Sequence, residues 1–473
     1  MTASQTALIS ARIAAFVHQE TFASLPPSVV ALARDHLLDT IGCCVAAADI
    51  DTSQELAALV REEGGADQAS AIGIATRLPA AQAAFVNGAL ARSLEYDDMA
   101  MPDLHPSGAI APVVLAIGEW RHASGAELVA AYALGLELCL RIGRAGYDPV
   151  ARTSRFLQRG QDSSAICGTV AGAAVAARLL GLDPRGIADA IGIAVSLAGG
   201  SLEANRSGGT IKRLQSGWAA SSAVRAACMA RAGISGPAEA FEGRYGFYRC
   251  FLDGAFDPSM LVDDFGLRWE VLSLRIKPYP SNYYTHAGID AALALVRGGV
   301  RPEEIQSAEL AVAAPMMHTM GEPLDRKQAP QTAYEAKFSG PYTVAAALLG
   351  GGGLGVGIDD FSDALVCDPT RRALMRRITV VADAQCDAVF PDQAPAILTM
   401  VTATSERRTE RVMVNRGGPD RPLGKRELDA KFSDNVKRAL PPPAADALRN
   451  AIRALPEGSI ANIAATLRAA SRN

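Results

Sequence analysis

Val170-Ala171-Gly172-Ala173-Ala174-Val175-Ala176-Ala177-Arg178-Leu179-Leu180 is the stretch whose spacing decides the fold class. Val170, Ala173, Ala174, Ala177 and Leu180 fall on one face of an α-helix, a period that strands do not produce. Outward from it, Ala, Leu and Gly recur at helical spacing from Ser4 to about Gly233, and aromatic residues make up only 5% of the chain. Small side chains let helices approach closely, which suits a compact bundle rather than a sheet. Pro26, Pro79, Pro106 and Pro184 fall near the starts of expected helices, where a missing amide hydrogen costs little.

The texture changes near Trp269. Ser307 to Ala314, Ile378 to Asp383 and Ile397 to Thr404 mix β-branched residues with alternation, while Ala291 to Val296 and Val344 to Leu349 stay helical in character. An α+β domain is expected there. Beyond the turn-rich stretch Arg416 to Leu423, helical patterning returns in Lys425 to Leu440 and Ala444 to Leu455, and this tail is expected to pack back onto the first domain. The run Gly350 to Gly353, with Gly355 and Gly357, lacks the ending of a P-loop and the spacing of a dinucleotide fingerprint, so it is expected to be a flexible helix-to-loop connection.

The 473 residues, 49% hydrophobic and 20% charged, are enough for large cores, in about three folding units or two larger ones. A formal net charge of −4 supplies no global attraction for nucleic acid or an anionic membrane, so neither partner is expected and any anionic ligand needs a local cluster. Eight cysteines show no CxxC pair and no metal-finger spacing. Met1 to Phe16 has no basic region leading into an apolar core, and runs such as Ala109 to Gly118 are too short for a bilayer. The expectation is a reduced, cytoplasmic protein.

Three segments carry side chains able to do chemistry. Glu95-Tyr96-Asp97-Asp98 is followed by His105-Pro106-Ser107 and the apolar run Ile110 to Trp120. A helix bearing Phe85, Gly88 and Arg92 would end in the acidic cluster and another would begin after His105, so carboxylates and an imidazole would share one loop. Such neighbours can shift the imidazole and fix its tautomer, which makes an acid/base site. Equally, Asp97 and Asp98 can cap helix ends while His105 makes a structural hydrogen bond. A metal reading of Asp97, Asp98, Asp103 and His105 lacks a recognised spacing, and no metal is expected. Gly208-Gly209-Thr210-Ile211-Lys212-Arg213 sets two cations beside glycines ahead of a helix expected over Gly217 to Ala232, and is either a carboxylate-binding turn or a solvated basic one. Lys277-Pro278-Tyr279-Pro280-Ser281-Asn282 holds a lysine in an extended, proline-fixed loop. A lone lysine beside proline is usually just surface.

The order of these phrases resembles a family. Leu94 to Asp98 with His105-Pro106-Ser107, Gly168 to Ala174, Gly209-Thr210-Ile211-Lys212 with Gly217-Trp218-Ala219-Ala220, Gly236-Pro237 with Phe241-Glu242-Gly243 and Gly246-Phe247, Lys277 to Pro280 with His286 and Ile289-Asp290-Ala291, and Ala336 to Ser339 with Tyr342 are similar to the MmgE/PrpD family over nearly the whole chain. That family includes 2-methylcitrate dehydratase, cis-aconitate decarboxylase and iminodisuccinate epimerase. The resemblance implies a mainly α fold: a large all-helical domain from residues 1–267 with 423–473, a smaller α+β lid over 268–422, and a cleft between them. It also implies a homodimer working on a small-molecule carboxylate without metal or organic cofactor.

The roles it implies are proton transfer by His105 and carboxylate binding or acid/base work by Lys212, with Lys277 as its partner; in the mechanism expected here the two lysines stabilise charge and Asp97 or Asp98 orients the imidazole. Asp98 is also a substrate-binding candidate, with Arg206 and Tyr342 as weaker ones. Relatives that decarboxylate cis-aconitate carry Asp where this chain has Glu95, often Thr at Met99, His at Asp162 and often Cys at Asn282. These altered positions are expected to bear on substrate binding. The expected activity is a lyase, dehydrating or decarboxylating by proton transfer at carbon beside a carboxylate. The alternatives are an epimerase or isomerase of a small dicarboxylate, and a non-catalytic ligand-binding relative.

Overall fold

A computed structural model describes residues 8–469. Ser4, where helical spacing was expected to begin, lies outside them, as does the start of Met1 to Phe16. The protein is mainly α, with small sheets, and divides into two compact units. The first takes the described residues up to Ser93, then Asp97–Leu274, then those from Asn435. The second takes Leu94–Tyr96 and Arg275–Asp434. These boundaries differ from the expected 267/268 and 422/423, and the reason is polar. Residues 268–273 are tied to the first unit: the buried Arg141 donates to Arg268 O at 2.7 Å and Val271 N donates to Glu137 Oε2 at 2.8 Å. The start of the helix Lys425–Val436 belongs to the second unit, where Lys431 is wholly buried on Tyr96 O.

The first unit is a helix bundle. Its central members are α1 (Pro27–Ala46), α2 (Ala80–Arg92), α3 (Ser107–Arg121), α4 (Gly125–Ala145), α5 (Ser163–Leu179), α6 (Pro184–Leu197) and α7 (Ile211–Arg231). Helix α5 carries the periodic stretch of the sequence, and its residues from Ser163 to Ala177 are all buried, because small side chains leave no face for water. Helix α7 packs on α2 and α5. At the α2–α7 crossing a Cβ on Gly217 would stand 2.2 Å from Phe85 O, and one on Gly88 would stand 2.7 Å from Gly217 Cα, so the two backbones touch and only glycine fits. The closeness brings the Arg92 stem beside Ser216: a Cβ on Gly108 would meet both, at 3.1 and 3.4 Å. Downstream, Pro442–Arg453 packs against α1 and Ile460–Ala469 against α3.

The second unit is built on a four-stranded sheet of order β2-β1-β3-β4, with β1 (Ile305–Val312), β2 (Ile378–Ala382), β3 (Ala396–Thr402) and β4 (Arg407–Val412). Only the β1–β2 pair is parallel. The helix His286–Arg297 packs on β3 and β4, and Gly340–Leu349 packs on that helix. Strand β4 had no sequence signal: Arg-Arg-Thr-Glu-Arg-Val is an exposed edge strand, where charge replaces alternation and guards against pairing with another chain. The glycine run is a helix-to-loop connection folded around Asp360. Gly350 ends the helix at φ 81°, and Asp360 Oδ2 accepts the amides of Gly352 and Gly357 at 3.0 and 2.7 Å.

Candidate active site

Pro106 ends the loop that leaves α2 and precedes α3, and the imidazole of His105 is placed by that loop. Its Nδ1 lies 2.8 Å from Asp98 O and 3.2 Å from Asp97 Oδ2. Both neighbours are acceptors, so Nδ1 carries the hydrogen and the neutral ring presents its lone pair at Nε2. Asp97 Oδ2 also accepts Arg92 Nη1 at 3.0 Å, so one carboxylate joins the last turn of α2 to the histidine. The backbone of the loop is pinned by the start of α5, where Ser164 Oγ accepts His105 N at 2.9 Å and Ser163 Oγ donates to Asp103 O.

Asp98 and Asp162 have structural work. Asp98 is fully buried: it accepts His36 Nδ1 at 2.7 Å, the Ser107 hydroxyl, and Ser107 N at 3.3 Å, and Ser107 Oγ is 2.6 Å from Tyr132 OH. Helices α1, α3 and α4 thus hold the peptide whose carbonyl faces His105. Asp98 thereby braces the loop from inside the bundle. Asp162 likewise caps α5, accepting Ala165 N at 3.0 Å, so its charge faces the positive end of that helix.

Helix α7 begins at Ile211 rather than near Gly217, which puts Lys212 in its first turn. Lys212, Arg92, His105 and Asp162 all act on the Asp103 carboxyl. Burial raises Asp103 above the ordinary carboxylate range, His105 opposes the rise and Asp162 adds to it. In the first unit His105, Arg92 and Lys212 are thus within electrostatic reach of Asp103, and Asp97 is bonded to His105 and Arg92. Arg206 is elsewhere, on the exposed turn Glu203–Ser207 and paired with Glu203. A groove of about 570 Å³ opens on the outer side of α7, lined by Phe85, Ile211, Leu214 and Trp218 among others, but not by Lys212.

The second unit holds Lys277 among other buried lysines. Three successive carbonyls each accept an ammonium: Leu94 O from Lys337 at 2.7 Å, Glu95 O from Lys277 at 3.2 Å and Tyr96 O from Lys431 at 3.1 Å. Lys337 also donates to Pro280 O at 2.9 Å, and Lys431 lies 3.8 Å over the Tyr96 ring. The Glu95 carboxylate is 3.8 Å from Lys277 Nζ and accepts Tyr334 OH at 3.2 Å. Glu95 has φ 55°, a left-handed backbone that costs a side chain about 1 kcal/mol or more and persists only where surroundings enforce it. His286 donates from Nε2 to Ser281 O at 3.2 Å, and burial, then the Lys277 charge, hold its ring well below the usual histidine range. Asn282 caps the turn that follows it, accepting Tyr284 N, and Tyr342 is buried with its hydroxyl on Asp360 O. Both side chains bond within this unit.

Sequence reasoning missed the roles of Tyr334, Lys337, Lys431 and His36. Lys337 stood in a quoted phrase, but Lys431 sits in a charge-rich helix where nothing local separates a buried lysine from a solvated one. Among the described residues no three His, Cys, Asp or Glu side chains are grouped to hold a metal ion, and no helix is long and apolar enough to cross a membrane.

Comparison with known proteins matches the MmgE/PrpD N-terminal domain over residues 11–259 and the MmgE/PrpD C-terminal domain over residues 279–457. A cis-aconitate decarboxylase-like protein of Aspergillus oryzae is 26% identical over 444 residues, covering 90% of this chain and 89% of that one. Human cis-aconitate decarboxylase is 27% identical over 380 residues, covering 77% and 74%. A 2-methylcitrate dehydratase of Cupriavidus necator is 27% identical over 440 residues, covering 87% and 86%. With both domains of one family matched in order across most of its length, this chain belongs to the MmgE/PrpD family.

Proposed function

We propose that this protein is a lyase acting on a small carboxylate, moving a proton at the carbon beside a carboxylate group with His105 as the proton-transfer residue. The observation that carries the reading is the pair of acceptors on His105 Nδ1, which leaves Nε2 as the base. Such carbon acids are weak, so the reaction needs that base together with fixed positive charge where enolate-like charge develops. In a dehydration Nε2 takes the α-proton, the electron pair forms the alkene, and hydroxide leaves with a proton from an acid. In a decarboxylation the C–C bond to the carboxylate breaks, carbon dioxide leaves, and Nε2, protonated beforehand from solvent, gives that proton to the carbanion and returns to the neutral ring.

Asp97 and the Asp98 carbonyl stabilise the imidazolium in either direction, because each faces Nδ1. Lys212 is proposed to hold a substrate carboxylate, and Lys277 is proposed as a second cation for the developing charge. The names of the relatives support the lyase class, since cis-aconitate decarboxylase and 2-methylcitrate dehydratase both describe lyases.

The test is a panel of small hydroxy- and unsaturated carboxylic acids, followed by carbon dioxide release and by alkene absorbance. His105→Ala and Lys212→Ala are each expected to lower turnover about 100-fold or more. Turnover by both variants within a few fold of wild type refutes the assignment. Exchange of the α-hydrogen in heavy water with neither alkene nor carbon dioxide formed would instead identify an epimerase.

A further inference from the structure

Lys277, which donates to the Glu95 carbonyl, also has the carboxylate of that residue beside it. Lys337 spends two donors on Leu94 O and Pro280 O, and Lys431 rests on a carbonyl and an aromatic face. At Lys277 the Glu95 carboxylate stands 3.8 Å from the ammonium. It is held there by the Tyr334 hydroxyl at 3.2 Å, by the bond from Lys277 to the Glu95 carbonyl, and by a left-handed backbone at φ 55°. With Lys277 and Glu95 1% and 7% exposed, little water screens the pair.

We infer that Glu95 is a built-in anion that takes the place of one substrate carboxylate at Lys277, so that the protein accepts a dicarboxylate ahead of a tricarboxylate. The inference rests on the carboxylate reading proposed above, with Lys277 as one of its cations. A third carboxylate brought to Lys277 would meet a like charge already in contact with the ammonium, and like charges in a poorly screened site repel strongly. An aspartate at this position, one methylene shorter, would draw the charge back by roughly 1.5 Å.

The experiment is calorimetric titration of the full chain with cis-aconitate, a tricarboxylate, and with glutaconate, the dicarboxylate that lacks its middle carboxylate. Wild type is expected to bind glutaconate about tenfold tighter or more. Glu95→Gln keeps the size of the side chain and its acceptor for Tyr334 but removes the charge, and is expected to tighten cis-aconitate at least about tenfold more than glutaconate. Glu95→Asp moves the ratio the same way by a smaller factor, and serves if the glutamine variant does not fold. An affinity ratio unchanged by either substitution, or a wild type that favours cis-aconitate, overturns the inference alone. Binding of neither acid by any form overturns the carboxylate reading, and the inference with it.

Discussion

Replacing Asp97 by Asn tests the proton-transfer geometry with little steric change. Asp97 Oδ2 is 3.2 Å from His105 Nδ1 and 3.0 Å from Arg92 Nη1. When the imidazole takes a proton it becomes a cation facing that carboxylate. At 3.2 Å and an effective dielectric near 20, two unit charges interact by about 5 kcal/mol. Arg92 shares the same oxygen and offsets most of this, so what the substitution removes is close to one charge-assisted hydrogen bond, about 1.5–3 kcal/mol. At about 1.4 kcal/mol per factor of ten, kcat should fall roughly 10- to 150-fold. KM should move little, because Asp97 is spent on Arg92 and His105 rather than on substrate. The assay is steady-state turnover of the best acid from the panel, with circular dichroism and an unfolding midpoint to show an intact fold. A kcat within about twofold of wild type in a folded variant refutes the reasoning.

Two further substitutions test the scaffold. Gly217→Ala would place a Cβ 2.2 Å from Phe85 O, a backbone atom that cannot swing aside, so α2 and α7 must separate. Overpacking of this kind costs about 3 kcal/mol, from which helix propensity returns about 1, and a urea midpoint at or above wild type contradicts the close crossing. His286 is refused its proton in the folded chain by burial and by Lys277. Below about pH 6.5 the unfolded chain takes up a proton that the folded chain does not, so stability is full above that value and falls by about 1.4 kcal/mol per pH unit beneath it. His286→Gln should flatten this slope between about pH 7 and pH 5. Equal slopes in variant and wild type would show that the ring is not the group that titrates.

Helix α5 and the loop between α2 and α3 were legible because their signals are local: a period of small residues in one, two helix ends with acids and a histidine between them in the other. The start of α7 was misplaced because Gly208 and Gly209 suggested a longer turn, and Thr210 offers no side-chain cap to mark the first helical residue. Strand β4 escaped because charge overrides alternation on an exposed edge. At Asp162 the sequence showed a change of charge, and at Asn282 a change of polar group, and no more. Asp162 is a helix cap and Asn282 a turn cap, roles set by the backbone amides that the fold brings to their side-chain oxygens.

The amino-acid sequence alone determined the helical bundle, the α+β character of the second region and the loop holding His105, because periodicity and helix ends are written within a few neighbouring residues. Tertiary structure decided which charges meet. The carbonyls of Leu94, Glu95 and Tyr96 take their ammonium groups from lysines 243, 182 and 335 residues away, and Asp98 takes its imidazole from His36, 62 residues earlier. A buried polar group must find a partner, but its partner is chosen by how helices and strands pack, and no local pattern of residues carries that choice.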